Sequence, residues 1–253
     1  MSQQQGFGGE DIKEESGWRY PMAIFFITIV LSGIFLYTYV GPSGDELLGN
    51  TPKPTISDEP VMAVIAGERF VVPANFTVFP RDRRSGERKS LALYTFWPTM
   101  SGYAPARRTD FIDNDKDSRR IDIIISKRRT PFSESERLEY IYMPQVLDKR
   151  GTPAQYGLTQ YNFKDRGTNT ETSGFGSRVL FLGAAADDSD QLVLLFCYQE
   201  HKVLAADCYR EYELNDTITV RYMFKRPYLP EWSQIDLKVR DFVANIHQPA
   251  QTP

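Results

Sequence analysis

Residues 192–213 read LVLLFCYQEHKVLAADCYREYE, and this stretch decides the fold. Leu192–Tyr198 is apolar at successive positions, the pattern of a strand covered on both faces and therefore central in its sheet. Asp207–Glu213 reads as a second strand, so the two form a hairpin. Its cysteines, Cys197 and Cys208, then lie on neighbouring strands, which bring Cα atoms to the ~5.5 Å a disulfide spans. They are the only cysteines in the chain. In an oxidising compartment such a pair is joined, and closing so short a loop stabilises a fold by roughly 2–3 kcal/mol. Two free thiols in a cytosolic domain form the opposing reading. A metal site is not expected, because no CxxC and no histidine cluster completes four ligands.

The flanking segments extend this sheet. Downstream, Ile218, Val220, Tyr222 and Phe224 alternate with polar residues, the mark of a half-buried strand, and Asn215-Asp216 supplies the turn before it. Upstream, Val179–Leu182 is a further apolar strand, joined through Ala185–Asp190. After the sheet, PEWSQIDLKVRDFVANIH (230–247) predicts a helix opened by Pro230. Trp232, Ile235, Val239, Phe242 and Ile246 recur at offsets of three and four and form one apolar stripe. Asp236, Lys238, Arg240 and Asp241 are assigned to the solvent side. The stripe is expected to cover the sheet.

Nearer the N-terminus, VMAVIAGERFVV (61–72) reads as a hairpin turning near Gly67-Glu68. Leu91–Trp97 is an aromatic-rich strand, and Ile121, Ile123 and Ile125 alternate in another that ends at Lys127-Arg128-Arg129. Thr130-Pro131, Ser133 and Glu136 predict a capped helix start, with Leu138, Ile141 and Tyr142 on one side and Pro144 as its stop. Tyr156–Phe163 is a further strand, and 164–177 a long loop. The expectation is an α+β fold for residues 61–248: an antiparallel sheet with one or two packed helices.

Ahead of this domain stands PMAIFFITIVLSGIFLYTYV (21–40), which carries no charge. At about 1.5 Å per residue it makes a helix of roughly 30 Å, the thickness of a bilayer core. Trp18, Tyr20, Tyr37 and Tyr39 sit at its ends, where amphipathic rings favour the membrane interfaces. A cleaved signal peptide has a shorter apolar region and a small-residue exit; here Tyr37, Tyr39 and Val40 occupy the exit. Lys13 and Arg19 precede the helix and only Lys53 follows within 41–60, so the N-terminus is expected in the cytoplasm and the domain in a periplasm or outside the cell. Residues 1–20 read as a disordered cytoplasmic tail, 41–60 as a Pro/Gly linker, and 249–253 as a terminal tail.

Chemistry is harder to find. The two histidines, His201 and His247, have no triad or metal-type neighbours in sequence. Asp113-x-Asp115-x-Asp117 spaces oxygens as a calcium loop does, but Ser118 and Ile124 stand where the turn glycine and closing glutamate belong, so a solvated loop is expected. Gly174-x-Gly176 lacks the strand and helix of a nucleotide-binding turn. The Asn-x-Thr triplets at Asn75 and Asn215 matter only in a glycosylating compartment.

One charge asymmetry stands out. Residues 81–129 carry thirteen Lys/Arg and seven Asp/Glu, against a whole-chain net charge of −3. Arg81, Arg83, Arg84, Arg88, Arg107, Arg108, Arg119, Arg120, Arg128 and Arg129 form a candidate basic face for anionic lipid headgroups, a polyanion or an acidic partner protein. Nucleic acid is not expected, given the extracytoplasmic placement and the acidic pI. The leading expectation is a non-enzymatic accessory, scaffold or assembly partner of an envelope complex, held by membrane lipid around 21–40, with a protein partner and no cofactor. The alternative is a ligand-binding or sensory domain with Tyr161, Arg166 and Phe175 around its site. A hydrolase or transferase built on carboxylates alone is the third reading.

Overall fold

A computed structural model describes residues 17–39, 41, 43–164, 175, 177–187, 191–199 and 203–248. The chain divides into two compact units, residues 1–48 and 49–253. In the first unit, helix α1 (Arg19–Tyr39) has 21 residues, an 18-residue stretch with a mean hydropathy of 2.0 and no buried side chain. It is long and apolar enough to cross a membrane, and it starts two residues before Pro21. The Thr28 and Thr38 hydroxyls donate to the Ile24 and Ile34 carbonyls at 2.9 Å, so these groups are satisfied inside the helix. A single turn, α2 (Gly44–Leu47), follows, capped by the Ser43 hydroxyl.

The second unit holds the strands β1 (Pro60–Ile65), β2 (Glu68–Pro73), β3 (Gly86–Glu87), β4 (Ser90–Phe96), β5 (Arg120–Lys127), β6 (Thr152–Pro153), β7 (Thr159–Asn162), β8 (Arg178–Ala184), β9 (Leu192–Tyr198), β10 (Asp207–Glu213), β11 (Ile218–Lys225) and β12 (His247–Gln248). Its helices are α3 (Arg108–Ile112), α4 (Glu134–Glu136) and α5 (Trp232–Ile246). Eight strands form one antiparallel sheet in the order β4-β5-β11-β10-β9-β8-β7-β6, and β12-β2-β1-β3 form a smaller sheet. The expected spacer is part of this unit from Gly49 onward. Lys53 N donates to Val78 O at 3.1 Å, Arg81 N to Gly49 O at 3.3 Å and Ala74 N to Glu59 O at 2.9 Å, so the proline-rich segment is tied to the domain by its remaining amides and carbonyls.

Alternation sets the two faces of the large sheet. Ile121, Ile123 and Ile125 of β5 and Ile218, Val220, Tyr222 and Phe224 of β11 point one way and are buried beneath α5 and the β1–β2 hairpin in one core. Each such side chain, fully buried, contributes about 1.5–3 kcal/mol. Ile235, Val239, Val243 and Ile246 of α5 lie in this core, with Phe242 only partly buried. Trp232 seats over Gly183 of β8, where a Cβ would lie 2.6 Å from Trp232 Cη2. On the other face, Leu180, Leu194, Phe196 and Tyr209 pack with Leu138, Tyr142 and Met143. These come from the segment that begins at the Ser133–Glu136 capping box.

Four expectations need adjustment. Pro230 lies inside a 3-10 segment, Arg226–Glu231, and α5 opens at Trp232. The strand read over 156–163 is shorter, because Tyr156 and Gly157 have φ of 64° and 72° and form a turn before β7. The helix after Ser133 is one α turn that widens to a π segment over Arg137–Tyr142, and Pro144 sits in a following 3-10 turn, Met143–Gln145. Asp236 is not on the solvent side: it is 1 % exposed.

Asp236 belongs to a buried ionic cluster for which β9 and β10 part. These strands pair only at Cys197–Cys208 and Phe196–Tyr209, and beyond those positions the ladder opens. The Glu134 carboxylate enters the gap and accepts from Leu194 N at 3.1 Å, where a strand partner would otherwise accept. Arg210, 0 % exposed, clamps the same carboxylate through Nε at 3.0 Å and Nη2 at 2.7 Å. Its Nη1 donates to Asp236 Oδ1 at 2.6 Å. That oxygen also accepts from Tyr222 Oη at 2.8 Å, and Oδ2 accepts from Arg240 Nε at 3.1 Å. The two carboxylates hold the Arg210 proton more tightly than usual despite burial, so the guanidinium is a fixed charge joining α4, the sheet and α5.

Candidate functional site

Cys197 and Cys208 face each other in register and are joined by a disulfide, with a Cα–Cα distance of 4.0 Å. The bond pins β9 to β10 one pair beyond Phe196–Tyr209, the last paired position before Glu134 separates them.

The ten arginines singled out in the sequence do not form one group. Arg81, Arg84 and Arg88 line one shallow cleft around β3, and Arg88, Arg128 and Arg129 line an adjoining cleft of about 710 Å³ with Lys89 and Lys127. The register explains the meeting: β3 is parallel to β1, while the ends of β4 and β5 lie side by side, Ser90 opposite Ser126. In the second cleft three cations lack an ion pair, and Glu87 lines the cleft beside them. Arg88 Nη1 is 3.2 Å from Asp82 Oδ1, and Arg128 donates to the Thr130 and Pro131 carbonyls at 2.8 Å. Lys89, Lys127 and Arg129 are exposed and make no side-chain hydrogen bond or ion pair among the described residues.

The others go elsewhere. Arg83 turns inward to Thr77 Oγ1 at 3.1 Å and to the Lys53 carbonyl. Arg107 stacks 4.0 Å from the Phe96 ring centre and donates to Ser101 Oγ at 2.9 Å. Arg119 is exposed. Arg108 and Arg120 line a separate pocket of about 680 Å³ with Tyr94, Tyr103, Phe111 and Asp122. Sequence spacing puts arginine pairs at loop ends, but only the strand register tells which loop ends meet.

The loop proposed for a ligand gives a different result. Arg166 lies outside the described residues. Phe175 stacks on Phe163 at 4.8 Å and meets Tyr142 at 5.8 Å, and both Phe175 and Tyr161 pack on the Leu180–Phe196 core. These rings cover the second sheet face instead of lining an open wall. His247 Nε2 lies 2.8 Å from Glu68 Oε2 and its ring stacks on Phe70; His201 lies outside the described residues. Asp113, Asp115 and Asp117 lie on an exposed loop, and no group of three His, Cys, Asp or Glu that could hold a metal occurs among the described residues. Glu134 and Asp236, brought together by the fold, spend their oxygens on Arg210 and its neighbours.

The pocket under Arg108 is the feature that the sequence did not signal. Tyr94, Tyr103 and Phe111 come from β4, the loop after it and α3, with Phe111 edge-on to Tyr94 at 4.8 Å and to Tyr103 at 5.5 Å. Tyr94 is 3 % exposed, and its hydroxyl has no hydrogen-bond partner among the described residues. Burial pushes the Tyr94 phenol up to about 12, so it is a proton donor at neutral pH. Burial also raises the Asp122 carboxyl, against the opposing pull of Arg120, whose Nε lies 3.0 Å away.

No protein-family model matches this chain, and no curated protein matches it in sequence. Among solved structures it is similar to Smlt3025, an immunity protein of the Stenotrophomonas maltophilia type IV secretion system. The TM-score is 0.55 and the identity 19 %, over 76 % of this chain and 94 % of that one. It is also similar to the Neisseria meningitidis iron-regulated outer membrane lipoprotein FrpD, with a TM-score of 0.47 and 13 % identity over 78 % and 97 % of the two chains. The first likeness shows a shared α+β fold dominated by antiparallel sheet.

Proposed function

We propose that this chain is a single-pass inner-membrane protein with a cytoplasmic N-terminus, presenting residues 61–248 outside the cytoplasm as a non-enzymatic accessory of an envelope assembly. The observation that carries this is one chain holding both an uncharged helix of membrane length and a disulfide-bonded sheet domain. A disulfide of this kind belongs to an oxidising compartment, and the helix anchors the domain next to it. That a secretion system's immunity protein shares the fold supports an envelope role. The docking surface is the cleft of Lys89, Lys127 and Arg129. Three cations without an ion-pair partner among the described residues outnumber Glu87, the cleft's one carboxylate, and attract an acidic segment of a partner protein; an interaction of that kind weakens as salt screens it.

Gentle detergent extraction followed by native electrophoresis tests the reading. The wild type is expected to migrate within a larger assembly. A Lys127→Glu/Arg129→Glu variant, altered only at exposed side chains, is expected to fall to the size of the free protein. A wild type that migrates alone contradicts the accessory role; co-migration that survives the double reversal removes the basic cleft from it.

A further inference from the structure

Alternation along the large sheet turns Ser90 of β4, Ser126 of β5, Glu211 of β10 and Arg221 of β11 away from the core that Leu91, Ile125, Tyr212 and Val220 enter. Register gathers them: Ser126 stands opposite Ser90, and Arg221 opposite Glu211. With Lys127 and Arg129 they line a pocket of about 380 Å³, within the range of small-molecule sites. The Arg221 guanidinium stacks 4.1 Å from the Tyr209 ring centre, and its Nε is buried. Nη1 and Nη2 are not buried in this way and make no hydrogen bond or ion pair among the described residues. Stacking thus fixes the plane of the fork and leaves its outer donors open, the arrangement in which arginine grips an oxyanion. The Ser90 and Ser126 hydroxyls are likewise reachable and without a partner among the described residues. Three cations against the single carboxylate of Glu211 leave two positive charges in excess. That balance matches a phosphate monoester, which carries about −1.5 to −2 at neutral pH, better than a carboxylate, which carries one charge and has no third oxygen for the serine hydroxyls.

We propose that this pocket binds the phosphate group of a small phosphate monoester: Arg221 meets it through Nη1 and Nη2, the Ser90 and Ser126 hydroxyls donate to it, and Lys127 and Arg129 balance its charge. The pocket shares Lys127 and Arg129 with the docking cleft, but Arg221 and both serines lie outside that cleft, and the site does not rest on the accessory role.

The test is isothermal titration of the full chain in phosphatidylcholine nanodiscs, with empty nanodiscs as blank. The probe is glycerol 3-phosphate and the control is glycerate, a carboxylate of similar size. The wild type is expected to prefer the phosphate by about tenfold, and Arg221→Gln should abolish that preference. Glu211→Gln, which removes the one carboxylate lining the pocket, should tighten the phosphate by about threefold, a gain that a folding defect does not produce. Repeating the titration with phosphatidic acid in the nanodisc separates the two sources of the group: competition with the probe assigns a lipid headgroup, and an unchanged titration a soluble ester. The readout is phosphate binding alone, so it stands whether or not the wild type migrates within an assembly. No saturable binding of glycerol 3-phosphate up to about 10 mM, equal affinity for glycerate, an Arg221→Gln protein that keeps the full preference, or a Glu211→Gln protein that binds no tighter overturns the proposal.

Discussion

Replacing Arg210 by methionine tests how the domain is held together. Met fills much of the same volume but removes the guanidinium. In the wild type Arg210 supplies two bonds to Glu134 and one to Asp236, at 3.0, 2.7 and 2.6 Å. Without it, Glu134 keeps only the Leu194 amide, and its Oε2 has no donor inside the split between β9 and β10. Asp236 fares better, since Tyr222 and Arg240 still serve it. The loss is thus one uncompensated buried carboxylate, and breaking a buried pair in this way costs about 3–5 kcal/mol. Against a total stability of about 5–15 kcal/mol that is a large share. For a unit of this size it lowers the melting temperature by about 6–20 °C. The assay is chemical denaturation of the full chain in mild detergent, followed by tryptophan fluorescence; Trp97 and Trp232 both report from the core. Adding Glu134→Gln removes the buried charge, while the amide oxygen still accepts from Leu194 N, so at least about half the loss should return. An Arg210→Met cost under about 1 kcal/mol, or no recovery on adding Glu134→Gln, would refute the account of Glu134 as a charged wedge held by Arg210.

Three further outcomes follow from the packing. Reducing the Cys197–Cys208 bond, which closes a loop of sequence separation 11, should lower stability by about 3 kcal/mol, measured by unfolding with and without reductant. Gly183→Ala forces a Cβ against the Trp232 ring at 2.6 Å and should cost about 1–3 kcal/mol; an unchanged midpoint would mean that Trp232 does not seat there. Ser133→Ala removes the acceptor of Glu136 N and should cost about 1 kcal/mol, read as a small, clean fall in melting temperature.

The sequence made the periodic parts of this fold legible. The alternation in β5 and β11, the cysteine register of β9 and β10, the capping box at Ser133 and the apolar stripe of α5 are local patterns, each with its own physical signature. Asn215 at the β10–β11 turn is of the same kind: its Oδ1 accepts from Thr217 N and Ile218 N at 2.9 Å. What could not be read depends on contacts distant in sequence. Asp236 sits one position from the apolar stripe and looks like a surface acid; only Arg210 and Tyr222, brought beneath α5 by the sheet, make it a core residue. Glu134 looks like a first-turn carboxylate on an exposed helix, yet it fills a gap between strands about sixty residues away. The basic loops were visible as charge, but their division between the cleft and the aromatic pocket follows from register. Tyr94, Tyr103 and Phe111 carry no shared period, so their convergence left no trace in the chain.

The proposed function places the disulfide-bonded domain outside the cytoplasm on a membrane helix. A reporter fused after Pro253 that is active only outside the cytoplasm tests it most directly, paired with the same fusion lacking residues 21–40. Activity is expected from the full fusion, and its loss when the helix is removed. A full-length fusion that reports from the cytoplasm would contradict it, reversing the topology and the compartment assigned to the Cys197–Cys208 bond.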